Sequence, residues 1–258
     1  MTRVSSEKHS LPATALAFLR TRINELFMFF VSLFCGLVIL VYLQWTKHPP
    51  HVRWLLRLWS SAFIFGGRYI LGVTYKIEGQ ENIPDETVIY MGNHQTAWES
   101  IMMTVLVPHV NMVTKARAMT IPVFGWGLKH APMISIDPDA PGKNIRGLLR
   151  GGKASITEGR NIVIFPEGSR VPIGQTREYA RGFEALYKHC KVRVVPFVTD
   201  SGLWWPSGYT LKYPGTITLR FLPPITAGLP PQEFAETIES VIRAEAARLQ
   251  AESLANHT

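Results

Sequence analysis

The chain has 258 residues, 47% of them apolar and 18% charged, below the roughly 25% charged of an average soluble domain. This excludes a disordered or collagen-like chain, and two cysteines, Cys35 and Cys190, cannot build a disulfide scaffold or a Cys-based zinc site. Lys and Arg outnumber Asp and Glu by 27 to 19, a net charge of +8, which calls for an anionic partner: nucleic acid, lipid headgroups or a phosphorylated substrate.

The first predicted element is apolar. Leu26 to Leu43 reads LFMFFVSLFCGLVILVYL, without a charge and long enough to cross most of a hydrocarbon core. Its length, its polar leader and the lack of a small-x-small cleavage site argue against a signal peptide. Pro49 and Pro50 break the chain. Val52–Gly72 then sets Arg53, Arg57, Ser60, Ser61 and Arg68 near one helical face and Trp54, Leu55, Leu58, Trp59, Phe63, Phe65 and Ile70 over much of the rest. That pattern fits a helix lying in the membrane interface. Basic residues flank the apolar run on both sides, so charge does not set its orientation. Residues 1–72 are therefore expected to form a two-helix membrane anchor, either spanning the bilayer or dipping into it.

From Val73 to the last residue, 258, the pattern changes to that of one further domain in which strands and helices alternate. Strands are expected at Val73–Glu78, Thr87–Met91, Val110–Thr114, Met133–Ile136, Ile162–Phe165, Val192–Val198 and Thr216–Phe221. Helices are expected at Ala97–Val107, Pro122–Lys129, Asn144–Glu158, Gly182–His189 and Pro231–Leu254. The alternation predicts an α/β fold, a mixed, mostly parallel sheet covered by helices. In the last helix, Phe234, Ile238, Val241, Ile242 and Leu249 form the apolar stripe. Pro196, inside VVPFV, is expected at a sheet edge or a bulge, with that segment shaping an acyl-binding wall at most. No phosphate-binding glycine fingerprint and no HExxH occur.

Sites in such sheets collect at strand ends. After TVIYMG comes Asn93-His94-Gln95-Thr96-Ala97-Trp98-Glu99. With a helix starting near Thr96, the Glu99 carboxylate returns to a ring nitrogen of His94, fixes the tautomer and leaves the other nitrogen free to take a proton. The bland alternative is a capping histidine with Glu99 in solvent. After NIVIF comes Pro166-Glu167-Gly168-Ser169-Arg170, a tight turn that presents a carboxylate, a hydroxyl and a guanidinium whose planar fork suits phosphate. The bland alternative there is a surface salt bridge. After NMVT, Lys115 adds a second cation, with Arg117 close behind.

The apolar anchor, NHxxxxE, K…P.FG, FPEGSR and VVPFV, in that order, resemble the glycerolipid acyltransferases, most closely the 1-acyl-sn-glycerol-3-phosphate (lysophosphatidate) acyltransferase family, over Val73 to Phe221. The resemblance implies transfer of a fatty acyl group from a thioester, acyl-CoA or acyl carrier protein, to the free hydroxyl of a lysophospholipid, making phosphatidic acid. It implies His94 as base, Glu99 as its orienting acid, Lys115 and Arg170 on the acceptor phosphate, and Glu167, Gly168 and Ser169 shaping the acceptor pocket. A thioester is already activated, so neither a nucleophilic serine nor a metal or cofactor is expected.

Three positions depart from the family pattern: Glu99 stands for the usual aspartate, Ala131 for a glycine, and Pro138 for an arginine, which leaves Arg117 as a further candidate base for the phosphate. The expected partners are the two substrates, membrane lipid and an acyl carrier protein, with no nucleic acid. The expected location is the cytoplasmic face of the inner (plasma) membrane. The rival readings are an acyltransferase for another lysolipid, such as a lyso-ornithine lipid or other lysophospholipid, and a non-catalytic membrane-bound scaffold.

Overall fold

The computed structural model describes residues 10–45, 52–120, 125, 133–137, 141–206 and 211–256. The expected helix Pro122–Lys129, apart from Gly125, and positions Pro49, Pro50, Ala131 and Pro138 lie outside the described residues.

Two helices precede the sheet: α1, Leu11–Trp45, and α2, Val52–Gly66, which runs into a π-helical turn at Gly67–Leu71. α1 starts well before the apolar run, so Arg20, Arg22 and Glu25 lie within the helix and not in a leader ahead of it. Among the described residues it is the one helix long and apolar enough to cross a bilayer, over Leu11–Val41. Its Phe18, Leu26, Phe29, Phe30, Phe34 and Val41 are exposed. Cys35, Ile39 and Leu55 join the two helices, with Trp59 Nε1–H donating to Ser32 Oγ at 2.9 Å.

Part of the basic face of α2 is tied to the protein, while Arg57, Ser61 and Arg68 stay exposed. Arg53 donates to Asn111 Oδ1, Arg57 donates to the Val105 carbonyl, and Ser60 is buried. Trp54, Leu58, Phe65 and Tyr69 form the exposed stripe on the other side, at helical spacing. One apolar helix beside this stripe is consistent with membrane association.

The catalytic region follows as β1 Val73–Glu78, β2 Ile89–Gly92, α3 Trp98–Leu106, β3 Asn111–Lys115, β4 Ile134–Ile136, α4 Pro141–Thr157, β5 Ile162–Ile164, α5 Gly182–Cys190, β6 Val194–Thr199, α6 Ser201–Trp204, β7 Gly215–Phe221 and α7 Pro231–Ala255. All seven expected strands form, within two residues at each end. The sheet order is β1-β7-β6-β2-β5-β3-β4, and every neighbouring pair is parallel except β6 and β7. The carboxyl ends of β6, β2, β5, β3 and β4 therefore share one edge. β2, the middle strand, is buried along its whole length, as a strand covered on both faces must be.

Pro196 is not at a sheet edge. β6 lies inside the sheet, between β2 and β7, and its six residues are buried. The proline is tolerated because the ladder slips beside it: Phe197 faces Phe221, while Val194 faces Ile225. Three steps on β6 thus match four on the partner, a bulge-like offset that holds Pro223 and Pro224. The Pro196 carbonyl still accepts the Leu222 N–H at 2.9 Å, and the missing proline donor falls at this break. Val194, Val195, Phe197 and Val198 are core residues, so VVPFV offers no open wall for an acyl chain.

α7 covers one face of the sheet through Phe234, Ile238, Ile242, Ala246 and Leu249, and Phe234 stacks on Tyr187 of α5 with centroids 3.7 Å apart. Its far end is tied down by polar contacts. Arg220 of β7 pairs with Glu78 at 2.6 Å and Glu252 at 2.7 Å.

Candidate active site

β2 ends at Gly92 and the chain turns through Asn93–Ala97 into α3. The sequence Thr96-Ala97-Trp98-Glu99 has the form of a capping box, in which a first-turn acid reaches back to the free N–H groups ahead of the helix. The Glu99 carboxylate does so: Oε1 accepts the N–H groups of Gln95 and Thr96, both at 2.7 Å. The Trp98 N–H donates to Thr96 Oγ1 at 3.0 Å.

The same oxygen, Oε1, meets His94 Nδ1 at 2.8 Å, while Oε2 accepts the hydroxyls of Thr96 and Ser201, each at 2.7 Å. Glu99 has no exposed surface. Burial alone would push its carboxyl up; the His94 ring and the Thr96 donors outweigh that, and the group sits below its ordinary value. A buried carboxylate held as an anion against Nδ1 favours the tautomer with hydrogen on Nδ1 and leaves Nε2 able to accept a proton. The imidazole keeps 16% of its side-chain surface exposed and stacks on Phe165 with centroids 4.2 Å apart.

The second expected motif docks on the first. The turn after β5 closes with the Gly168 N–H on the Phe165 carbonyl at 3.0 Å, and Gly168 takes φ +67°, which suits a residue without Cβ. The turn aims Glu167 at the histidine loop, where Oε2 accepts the His94 backbone N–H at 2.8 Å, and Val171 N–H donates to the His94 carbonyl at 2.7 Å. Burial pushes the Glu167 carboxyl up to about 7; the His94 N–H lowers it and the Glu99 charge adds to the rise. Ser169 Oγ is taken by Arg177, a residue that no motif in the sequence singles out.

Of the expected residues, His94, Glu99 and Glu167 are thus joined by direct hydrogen bonds, with Gly168 and Ser169 in the supporting turn. Lys115 and Arg170 are exposed, at the end of β3 and in the loop after β5, and these neighbouring parallel strands end at the edge that carries His94. Among the described residues, no hydrogen bond or ion pair joins either cation to His94 or Glu99. Arg117 is exposed in the turn Ala116–Thr120 just beyond Lys115.

The end of β6 contributes residues that the sequence motifs did not reveal. Asn93 grips Thr199 twice, Nδ2 donating to its carbonyl at 2.9 Å and Oδ1 accepting its N–H at 2.8 Å. Gln95 Oε1 accepts the Gly202 N–H at 2.9 Å. The sequence signals at hand were the asparagine and glutamine flanking His94 and the T-x-x-E box; nothing near Ser201 marked it.

The comparisons with known proteins place the chain by class and then by family. The model of the acyltransferase family, described as Acyltransferase, matches residues 74–200, which contain every residue of this site up to Asp200. The 1-acyl-sn-glycerol-3-phosphate acyltransferase of Pseudomonas aeruginosa is 32% identical over 185 residues, covering 71% of this chain and 72% of that protein. The protein of the same name from Limnanthes douglasii is 28% identical over 195 residues, covering 74% and 67%. The crystal structure of the 1-acyl-sn-glycerophosphate (LPA) acyltransferase PlsC from Thermotoga maritima shares the fold, with a TM-score of 0.71 over 91% of this chain and 98% of that one, at 20% identity. The chain belongs to the 1-acyl-sn-glycerol-3-phosphate acyltransferase family.

Proposed function

We propose that the chain transfers a fatty acyl group from an acyl thioester to the free hydroxyl of 1-acyl-glycerol 3-phosphate, producing phosphatidic acid. The observation that carries this reading is the 2.8 Å contact between His94 Nδ1 and the buried carboxylate of Glu99, at the end of β2 inside the family-matched segment. The relatives named above act, by their names, on that acceptor.

His94 Nε2 takes the hydroxyl proton as the oxygen attacks the thioester carbonyl. The tetrahedral intermediate collapses, the C–S bond breaks, and the proton passes from the imidazolium to the departing thiolate. One ester forms and one thiol is released, with no covalent enzyme intermediate and no step that calls for a metal or cofactor. Glu99 holds the ring and balances the imidazolium charge. Glu167 holds the backbone of the same residue. Lys115 and Arg170 grip the acceptor phosphate, Arg170 through its fork and Lys115 as a point charge. Much of the rate comes from holding hydroxyl, carbonyl carbon and base in line.

Residues 1–72 serve as the anchor and 73–258 as the catalytic domain, with the exposed surface of α1 and the stripe on α2 in the bilayer. The catalytic domain sits on the cytoplasmic face, where acyl-CoA and acyl carrier protein are found; both are acidic and suit a chain of net charge +8.

The test is thiol release by purified protein with lysophosphatidate and each donor. His94→Ala is expected to lose about 10²–10⁴-fold in kcat while keeping its fold. Full turnover in folded His94→Ala would refute the mechanism. A wild-type chain that acylates only an acceptor without phosphate would refute the roles of Lys115 and Arg170.

A further inference from the structure

Glu99 fills the place the family usually gives to aspartate, and the contacts of its two oxygens give that methylene a purpose. Oε1 is saturated by His94 Nδ1 and the N–H groups of Gln95 and Thr96, at 2.7–2.8 Å. Oε2 receives two hydroxyls, from Thr96 and from Ser201. Thr96 belongs to the same turn as Glu99. Ser201 lies 102 residues further along the chain, the first residue of α6 after the neighbouring strand β6, and has no exposed surface.

Its position is over-determined. The Ser201 N–H donates to Thr199 Oγ1 at 3.1 Å, Asn93 holds Thr199 on both backbone groups, and Gln95 holds Gly202. On the other side, Asp200 Oδ1 accepts the Thr218 N–H at 2.7 Å and Oδ2 accepts the Ser253 hydroxyl. A side chain shorter by one methylene draws its carboxylate back by about 1.5 Å, so that with the imidazole contact kept the Ser201 hydroxyl is given up.

We propose that Ser201 is a positioning residue for acyl transfer: its hydroxyl, beside that of Thr96, seats the second oxygen of Glu99, so that the glutamate and the serine of the β6–α6 turn work as a matched pair. The inference rests on the acyl-transfer reading and deepens it. Ser201 does not touch substrate. It fixes where the carboxylate, and through it the imidazole, stands. It also tightens the strand-end junction on which the site is built.

The experiment measures kcat and KM for wild type, Ser201→Ala, Glu99→Asp and the double variant, in the full-length protein with lysophosphatidate and acyl-CoA, with a thermal melt for each. Ser201→Ala deletes one charge-assisted hydrogen bond to a buried carboxylate and is expected to lower kcat roughly tenfold to a hundredfold, with KM for both substrates unchanged. Glu99→Asp should lower kcat by a similar factor. In the aspartate background Ser201→Ala should cost less than about twofold, because the contact is already gone.

Wild-type kcat in folded Ser201→Ala overturns the proposal. So does a loss that is equally large in the aspartate background, or one confined to KM. Ser201→Cys keeps the volume and offers only a weak S–H donor, and it serves if the alanine variant fails to fold. Glu99→Asp tests the length argument independently, since wild-type kcat in that variant sinks it. His94→Ala run in parallel separates the two readings. Its turnover would refute acyl transfer by this site, whereas an inactive His94→Ala beside a fully active Ser201→Ala refutes only the pairing.

Discussion

Gly92→Ala tests whether the histidine is held by packing that begins in the sheet. Gly92 is the last residue of β2 and the register partner of Phe197 on β6. A Cβ at position 92 would stand 2.5 Å from Cε2 and Cζ of that ring and 2.7 Å from Cδ2, well inside contact distance. The ring cannot swing away freely. It has no exposed surface and is hemmed in by Phe165, centroids 5.8 Å apart, and Phe221, 6.2 Å apart. Overpacking a core of this kind costs about 1–3 kcal/mol. At about 2–4 °C per kcal/mol for a chain of this size, Tm should fall by about 2–12 °C. The strain also reaches the chemistry, because Phe165 is the ring on which His94 stacks, so kcat should fall with KM little changed.

Differential scanning calorimetry in detergent and the thiol-release assay read the two effects. Phe197→Leu, which lacks the outer ring atoms, should recover part of the lost Tm when combined with Gly92→Ala, although alone it destabilises. A Gly92→Ala protein whose Tm and kcat both match wild type would show that the ring moves without cost and that the chain of contacts from Gly92 to His94 carries no strain.

Two further predictions concern charge. Asp200 is buried, and desolvation pushes its carboxyl up to about 6, against a usual value near 4, the Ser253 hydroxyl and the Thr218 N–H offsetting only part of the rise. The folded state therefore holds this proton more tightly than the unfolded chain. The stability it contributes is complete below about pH 4 and is lost as pH rises through about 6, on the order of 3 kcal/mol. Asp200→Asn keeps an acceptor for Thr218 and no charge, so its Tm should fall less than the wild-type Tm between pH 4 and 7; parallel Tm curves would refute the reasoning. Arg170→Ala should raise KM for lysophosphatidate about tenfold or more with Tm unchanged, since the side chain is exposed. An unaltered KM removes Arg170 from the phosphate site.

The local parts of the fold were legible in the sequence for a physical reason. Each strand is a short β-branched run bounded by turn residues, and α7 carries its stripe at 3.6-residue spacing; both patterns are written within ten to twenty residues. His94 and Glu99 were legible because their contact spans five residues and is settled by one helix start. What the local pattern does not contain is pairing at a distance. The insertion of β2 between β6 and β5, the reversal of β7, and the one-residue slip that admits Pro196 depend on which buried strand meets which. The partners of the α2 arginines were illegible for a related reason. Nothing near Arg53 and Arg57 in the sequence shows that Asn111 and the Val105 carbonyl lie opposite them.

The strand order also explains why the histidine loop is fastened as it is. β2 stands between β6 and β5, so the loop leaving it has a strand end on each side. The β6 side supplies Thr199, Ser201 and Gly202 to Asn93, Glu99 and Gln95; the β5 side supplies Glu167 to the His94 backbone. Each residue from Asn93 to Gln95 therefore has a partner fixed by sheet pairing, not by the loop itself. This matters for a reaction in which the donor is already activated and catalysis consists largely of placing a base beside a hydroxyl, where small displacements cost large factors in rate. A loop free to move would meet the chemical requirement for an imidazole and fail the geometric one. The two carboxylates, Glu99 buried and Glu167 half-buried, act on different parts of the same residue, Glu99 on the ring and Glu167 on the backbone that carries it. The cations Lys115 and Arg170 on the same edge remain exposed, as their proposed role on an acceptor phosphate requires.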